Sequence, residues 1–299
     1  MNNWIYFVFI AQGIWAFTSL IDKNVISKGY IKNPLVYIVL NGMMNVLLIF
    51  LLPFVGFEPL KFTDFLIALS AGILYSAAVT VYYKAVQYEE ISRVAMLYQT
   101  APIFVLILSF LLIGERLAAS HFIGFLFLLS AGALVSYKKI NDSFKLSKAF
   151  YLMVISMLLS SIGVVAAKHI YSITSFWSAF LWFRLSSFAA LGVLLAPSVR
   201  KDFVRTFKRM KPKIRGLMSF KMLIDFSAFI ISGLAILNGP ISLVTALSSS
   251  ALPIFVFILA LIASIYLPKL VKEEIDRKAI LTKVFAIVLI AIGIVFVNR

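Results

Sequence analysis

Cysteine is absent from this sequence of 299 residues, and histidine occurs only twice. Without cysteine, the chain cannot form a disulfide framework, a thiol nucleophile or a thiolate metal site. The two histidines, His121 and His169, are too few for a histidine-rich metal cluster. We therefore expect neither a metal ion nor another cofactor to be bound.

Charged residues are also scarce: they make up 13% of the chain, whereas hydrophobic residues make up 62%. Soluble domains contain about 25% charged and about 45–50% apolar residues. A soluble chain of this size could not cover its surface with so few charges, and the mean hydropathy of +1.02 agrees with this. The composition predicts an integral membrane protein that crosses the bilayer several times.

Basic residues outnumber acidic ones by 28 to 12, which gives a formal net charge of +16. In a soluble protein, this excess would suggest nucleic acid as a partner. Here the lysines and arginines cluster between apolar segments, where they set the topology and attract anionic lipids. We therefore expect anionic lipids at a basic cytoplasmic face, and no nucleic acid.

Ten apolar segments approach the length of about 20 residues that a membrane-spanning helix needs. Strands of a membrane barrel would be about 10 residues long and would alternate strictly, which these segments do not. The sequence thus predicts an all-α integral membrane protein with ten transmembrane helices, at approximately 4–21, 34–55, 63–86, 92–113, 119–137, 149–170, 175–196, 214–237, 241–266 and 279–297.

Two similar stretches indicate an internal duplication: PIFVLILSFLL from Pro102 and PIFVFILALIA from Pro253. The duplication divides the chain into a first five-helix repeat at 1–139, a charged linker at 140–148 and a second five-helix repeat at 149–299. Because five is odd, the two repeats would have opposite orientations in the membrane. Secondary transporters commonly have such inverted repeats, with a substrate site near the midplane between them.

Lysine and arginine are unevenly divided between the two sides that this topology defines. Twenty-two of the 28 fall on one side and four on the other, while Arg184 and Lys221 lie within spans. Positive residues favour the cytoplasmic side. We therefore predict a multi-pass protein of the cytoplasmic (inner) membrane with both termini outside.

The two stretches of the duplication both begin with a proline, which we expect inside a helix. A proline there frees the carbonyl four residues earlier: Tyr98 for Pro102, and Ser249 for Pro253. These carbonyls have polar neighbours such as Gln99, and in a bilayer they need a partner or a wet cavity. We interpret the paired kinks as marking the transport path, with ordinary tolerated kinks as the alternative.

Three charged residues lie within predicted spans: Arg184, Lys221 and Asp225. An unpaired charge there costs roughly 2.5–3.5 kcal/mol or more, so we expect Asp225 to pair with Arg184 or Lys221. The remaining cation would bind an anionic group of a substrate; the alternative is a purely structural network. Asp225 is also the candidate group for proton coupling.

Polar residues recur at helical spacing in three predicted spans. They include Gln12 and Trp15 in the first span, Asn41 in the second and Tyr82 in the third. With lipid outside, such stripes face the protein interior or a cavity. Each of these residues is therefore a candidate for substrate contact, with hydrogen bonding between helices as the alternative.

Several short motifs carry a resemblance to a known family. They are Ala85-Val86-Gln87, Ser92-Arg93-Val94, Thr100-Ala101-Pro102 and Gly114-Glu115-Arg116-Leu117 in the first half, and Arg184 and Ala251-Leu252-Pro253-Ile254 in the second. Together with the ten spans, they resemble the EamA type of the drug/metabolite transporter superfamily. The resemblance implies an exporter or exchanger of amino acids, metabolites, sugars or nucleotide-linked compounds. The second half departs from the pattern, because Ile265-Tyr266 stands where Gly-Glu is expected.

The function we predict is that of a secondary transporter, an exporter or exchanger, which moves a small polar metabolite by alternating access. A flippase for a lipid or a lipid-linked sugar is the alternative, because the same fold and the same basic face would suit it. We do not expect an enzyme, since the chain offers no cysteine, two distant histidines and few carboxylates within its spans.

Overall fold

The computed structural model describes residues 3–27, 30–31, 33–43, 45, 48–51, 53–88, 97–136, 148–186, 188, 191–192, 195–266 and 277–298. These residues are mainly helical and contain no strand. The helices are α1 (Asn3–Ser27), α2 (Pro34–Met43), α3 (Leu48–Leu51), α4 (Phe62–Tyr88), α5 (Ala101–Ile113), α6 (Ala119–Ser136), α7 (Lys148–Ile173), α8 (Phe176–Ser186), α9 (Pro197–Arg209), α10 (Pro212–Asn238), α11 (Ile241–Tyr266) and α12 (Arg277–Val297).

Five of the described helices are long and apolar enough to cross a membrane. Their apolar spans are Asn3–Asp22, Phe62–Tyr82, Lys148–Ile173, Pro212–Asn238 and Ile241–Ala263. Three shorter apolar helical segments are Ala101–Ile113, Ala119–Leu134 and Leu281–Val297. The all-helical membrane architecture is therefore confirmed, whereas ten spans in two inverted repeats stay a prediction.

Helix α9 lies where the sequence suggested only a polar connection around Arg200 to Arg215. It begins with Pro197, whose fixed φ and missing N–H suit the first turn of a helix. Val199, Phe203 and Phe207 recur every four residues, and Val199 is buried while Phe203 packs on a small core beneath the helix. The connection is thus an amphipathic helix that covers one end of the bundle.

Helices α4 and α7, one from each half of the chain, pack closely along their length. A Cβ atom on Gly163 would lie 3.1 Å from the carbonyl oxygen of Ala71, so glycine allows the two backbones to approach. The Ser156 hydroxyl donates a hydrogen bond of 2.7 Å to the Ala78 carbonyl across the same interface. Small residues and a buried hydrogen bond therefore join the halves.

Other helices also pack across the halves. Helix α1 packs on α10 and α11, α5 packs on α7 and α11, and α6 packs on α12. At the α6–α12 contact, a Cβ atom on Gly124 would lie 2.9 Å from the Gly293 carbonyl oxygen. The bundle is thus built from contacts between the two halves as well as within them.

The two prolines of the duplication occupy different positions. Pro253 lies inside α11. Pro102, which we expected inside one continuous helix, instead lies in the first turn of α5. The Thr100 amide donates to the Leu97 carbonyl at 3.1 Å, so a tight turn interrupts the helix here. The first copy therefore has a helix start at its proline, where a missing N–H costs little.

Candidate functional site

Arg184 is buried near the end of α8, with only 4% of its surface exposed. Its guanidinium carbon lies 3.9 Å from the centroid of the Phe229 ring, which places the cation over the ring face. In the described part of the chain, its Nε atom has no hydrogen-bond partner, and no carboxylate lies within ion-pair distance. Arg184 is thus a buried cation that an aromatic ring supports.

Aromatic residues from four helices surround this guanidinium. Trp15 of α1 contacts Phe229 of α10 edge to face, with ring centroids 5.2 Å apart. Tyr75 of α4 and Tyr171 of α7 lie within electrostatic range of Arg184. The side chain therefore lies where helices from both halves converge. The predicted residues Arg184 and Trp15 meet here through Phe229, which the sequence analysis did not single out.

Lys221 lies between two carboxylates. Its Nζ atom is 2.7 Å from Asp225 Oδ2, one helical turn along α10, and 3.3 Å from Asp22 Oδ1 on α1. Of the two partners that we considered for Asp225, the structure thus pairs it with Lys221. Asp22 lies ten residues after Gln12 and seven after Trp15, on the same stripe of α1. Its role as the second partner depends on how α1 packs against α10, which helical spacing alone does not reveal.

Two buried polar atoms in this region have no hydrogen-bond partner among the described residues: Arg184 Nε and Asp225 Oδ1. Such an atom typically costs about 1–3 kcal/mol. Asp225 is also within electrostatic range of Arg184 and of Tyr75. Unfilled polar groups of opposite charge therefore lie in one region, as expected where a protein accommodates water or a polar ligand.

Gln99 joins the two halves at the carbonyl that Pro253 frees. Its Nε2 atom donates a hydrogen bond of 3.2 Å to the Ser249 carbonyl. A Cβ atom on Gly132 would lie 2.5 Å from Gln99 Oε1, so the absence of a side chain makes room for the amide. The segment of α11 that precedes Pro253 is therefore held by a first-half side chain, and both predicted residues, Gln99 and Ser249, belong to this contact.

Tyr82 and Tyr98 form a second aromatic group. Their ring centroids are 6.4 Å apart in an edge-to-face arrangement. Tyr98 is within electrostatic range of both Tyr75 and Tyr82, and 42% of its surface is nevertheless exposed. Because Tyr75 also lies near Arg184, it connects the tyrosines to the charged region. The structure thus brings most of the predicted site residues into one neighbourhood.

Two predicted residues lie apart from these contacts. Gln12 is buried in α1, three residues before Trp15. Asn41 lies in α2, but its side chain is outside the part of the chain that the structure describes. No group of three or more His, Asp or Glu side chains that could hold a metal ion is found among the described residues.

Glu115 caps the N-terminus of α11 from the other half of the chain. The Ile241 amide donates to Glu115 Oε2 at 2.7 Å, and the Ser242 amide donates to Oε1 at 3.1 Å. Gly114 adopts a left-handed φ of 69°, which ends α5 and directs the next residue toward α11. The glutamate therefore binds a residue 126 positions further along the chain.

Lys168 neutralises the helix end that precedes this cap. Its Nζ atom donates to the carbonyls of Ile236, Leu237 and Gly239, at 2.7–3.0 Å. Orphan carbonyls at a helix C-terminus favour a cation, just as the amides of an N-terminus favour an anion. The short turn between α10 and α11 is thus fixed by a negative side chain from the loop after α5 and a positive side chain from α7.

Glu58 fixes the start of α8 in a similar way. Its carboxylate accepts hydrogen bonds from the Thr174 hydroxyl and the Ser175 amide, and its carbonyl accepts one of 3.0 Å from Trp182 Nε1. These contacts lower the pKa of Glu58, mainly through the Thr174 hydroxyl. Since Arg184 lies two turns further along α8, Glu58 anchors the helix that carries it.

Comparisons with known proteins support a membrane transporter. A search of curated proteins finds no significant match. The fold of the whole chain is similar to that of a protein of known crystal structure, with a TM-score of 0.70 and 16% sequence identity over 100% of this chain and 98% of the other. The model of the EamA-like transporter family matches residues 2–137. The first half of this chain therefore matches the EamA-like transporter family, which is part of the drug/metabolite transporter superfamily.

Proposed function

We propose that this protein is a secondary transporter that moves a small polar solute across the cytoplasmic membrane by alternating access. The observation that carries the proposal is the buried guanidinium of Arg184, whose Nε atom lacks a hydrogen-bond partner in the described chain. An isolated charge in a bilayer costs roughly 2.5–3.5 kcal/mol or more. A solute with a carboxylate or phosphate group would offset this cost while it is bound.

The depth of Arg184 suits such a site. It lies eight residues after Phe176, the first residue of α8, and therefore about 12 Å along the helix axis. The hydrocarbon core of a bilayer is about 30 Å thick, so the guanidinium would lie near its middle. Transporters with repeated halves bind their substrates at this depth.

The packing of the helices supports the inverted-repeat architecture that we propose. If α1, α4, α5 and α6 correspond in order to α7, α10, α11 and α12, the contact between α4 and α7 corresponds to that between α10 and α1. The contact between α5 and α7 likewise corresponds to that between α11 and α1. The contacts α6–α12 and α5–α11 are each unchanged when the two halves are exchanged. A pseudo-twofold relation between the halves would produce this pattern.

Alternating access requires one end of the path to close while the other opens. At one end, Glu58 holds the start of α8 and Glu115 holds the start of α11, so both glutamates bind the opposite half. Asp64 of α4 and His169 of α7 approach within 3.4 Å at the same interface. We interpret this end as the closed one, and the release of these contacts as part of the transport cycle.

The test is transport by the purified protein in liposomes. Arg184→Gln removes the charge but keeps a polar side chain, and Arg116→Gln is the matched control because Arg116 is exposed. With a panel of radiolabelled carboxylates, phosphate esters and neutral polar solutes, we expect saturable flux of an anionic solute in the wild type and the control. Arg184→Gln should lose at least 90% of it while it remains folded.

Equal flux by Arg184→Gln and the wild type would remove Arg184 from the site. Saturable flux of neutral solutes alone would overturn the anionic class while leaving transport intact. Transfer of a fluorescent lipid between leaflets, without flux of any soluble solute, would favour the flippase instead.

A further inference from the structure

Helix α9 exposes apolar side chains beside cations along one flank. Val204 and Phe207 are each 43% exposed, and Leu195, just before the helix, is 87% exposed. At about 100° per residue, Arg200, Val204, Phe207 and Lys208 share this flank, because they follow the spacing i, i+4, i+7 and i+8. We call these four residues the α9 flank. The buried side of the helix, with Val199 and Phe203, faces the protein core.

The cations of α9 are available to a partner outside the described chain. Arg200, Lys201, Arg205, Lys208 and Arg209 are all exposed, and no ion pair joins any of them to an acid of the described residues. The single acid of the helix, Asp202, instead accepts a hydrogen bond of 3.0 Å from Asn33 Nδ2. The helix therefore presents a positive charge that its own carboxylate does not neutralise.

Arg215 holds this helix in a fixed orientation. Its Nε atom donates to the Met210 carbonyl at 3.0 Å, and a terminal nitrogen donates to the Lys208 carbonyl at 3.3 Å. Its guanidinium carbon also lies 4.8 Å from the centroid of the Phe207 ring. The start of α10 thus binds the end of α9, so the membrane-spanning helix that follows fixes the position of the α9 flank.

The next helix indicates where the lipid lies. Phe220 and Leu223 on α10 are 53% and 57% exposed, as expected for side chains that face hydrocarbon. Lys213 is exposed and precedes Phe220 by seven residues, or two turns, on the same face. A lysine about 10 Å above a hydrocarbon-facing phenylalanine lies at the height of the lipid headgroups. Because only two residues separate α9 from α10, α9 lies at this height as well.

We propose that the α9 flank rests in the surface of the bilayer and binds the phosphate groups of anionic lipids. Val204 and Phe207 would enter the boundary between headgroups and acyl chains, while Arg200 and Lys208 contact phosphates on either side of them. This combination of an apolar strip with flanking cations is what an interfacial helix requires. The opposite flank, with Arg205 and Arg209, lies about 135° around the helix and faces away from the lipid.

Variants of the two flanks can be compared at the same net charge. Arg200→Gln/Lys208→Gln alters the α9 flank, and Arg205→Gln/Arg209→Gln removes the same charge from the opposite one. Each protein is placed in nanodiscs of phosphatidylcholine with increasing phosphatidylglycerol, and native mass spectrometry after release counts the retained phosphatidylglycerol. Circular dichroism and the unfolding temperature establish that both variants are folded.

A cation near an anionic surface changes the affinity by about fivefold. Because two cations are removed, we expect about 25-fold weaker retention of phosphatidylglycerol for the α9 flank variant, and less than twofold for the opposite-flank variant. Equal losses in both variants would mean that net charge alone attracts the lipid, and would overturn the proposal, as would full retention by the α9 flank variant. This outcome does not depend on transport, so it can fail while the proposed function stands.

Discussion

Arg184 and Lys221 are both buried cations of the second half, but their surroundings differ. Lys221 lies between Asp225 and Asp22, whereas Arg184 lies on the Phe229 ring with no carboxylate within ion-pair distance among the described residues. A buried cation that the protein neutralises itself contributes to the native state, since breaking the pair leaves a charge without a counterion. In the transporter that we propose, a buried cation that an aromatic ring supports would keep its charge available to a ligand. We therefore expect the difference to distinguish a structural position from a binding one.

Removal of Lys221 should have the largest effect on stability. Lys221→Met leaves two carboxylates near each other without their cation, and the loss of one partner of a buried pair costs about 3–5 kcal/mol. We expect a lower unfolding temperature in detergent and a lower yield of folded protein. The double variant Lys221→Met/Asp225→Asn should recover part of the loss, because it removes one of the two orphaned charges. Lack of any recovery would mean that Lys221 acts through packing instead.

The ring below Arg184 should have a smaller effect on stability. Phe229→Leu removes the cation–π contact, which is worth about 2 kcal/mol at a desolvated site. Phe226→Leu is the matched control, since Phe226 packs on Phe180, 5.8 Å away between ring centroids, instead of on a cation. We expect Phe229→Leu to lower the unfolding temperature further than Phe226→Leu does. This extra fall in the unfolding temperature should vanish when Arg184→Gln is also present. If it persists there, Phe229 stabilises the protein by packing and not through the cation.

Protonation of Glu58, an exposed carboxylate, should have the smallest effect. Its folded-state pKa is lowered from the ordinary value of 4.5, so its stabilisation is present above that pH and decreases as the pH falls through the folded-state pKa. We expect the cysteine of a Ser178→Cys variant to react faster with a thiol reagent as the pH falls from 6 to 3.5. The measured rates are corrected for the thiolate fraction, which is taken from a matched peptide. In Glu58→Gln, the corrected rate should be raised at every pH and should depend less on pH. An unchanged pH dependence in that variant would show that another group controls the opening.

Much of this fold could be predicted from sequence. A helix that crosses a bilayer must be long and apolar, so length and composition located the five long apolar spans of the described chain to within a few residues. The pairing of Lys221 with Asp225 was also foreseeable, because one helical turn separates them. The polar segment that became α9 was missed because its apolar residues are few and its charge is high, although Val199, Phe203 and Phe207 were the available signal.

Contacts between distant parts of the chain could not be predicted. Asp22 reaches Lys221 only because α1 packs on α10, and Phe229 meets Arg184 only because α8 and α10 converge. The sequence indicated Gln99 only as a polar neighbour of the Tyr98 carbonyl. Its hydrogen-bond partner, the Ser249 carbonyl, lies 150 residues away. Helical periodicity gives the face on which a residue lies, but the neighbour of that face depends on the packing of the whole bundle.

The cap that Glu115 forms on α11 also bears on how the protein is assembled. The amides of Ile241 and Ser242 receive their acceptor from the first half of the chain, which is synthesised earlier. A second half that was inserted into the membrane alone would leave these amides without the carboxylate. The helix start would then be completed only when the halves associate. We therefore expect the start of α11 to depend on a carboxylate from the half of the chain that is made first.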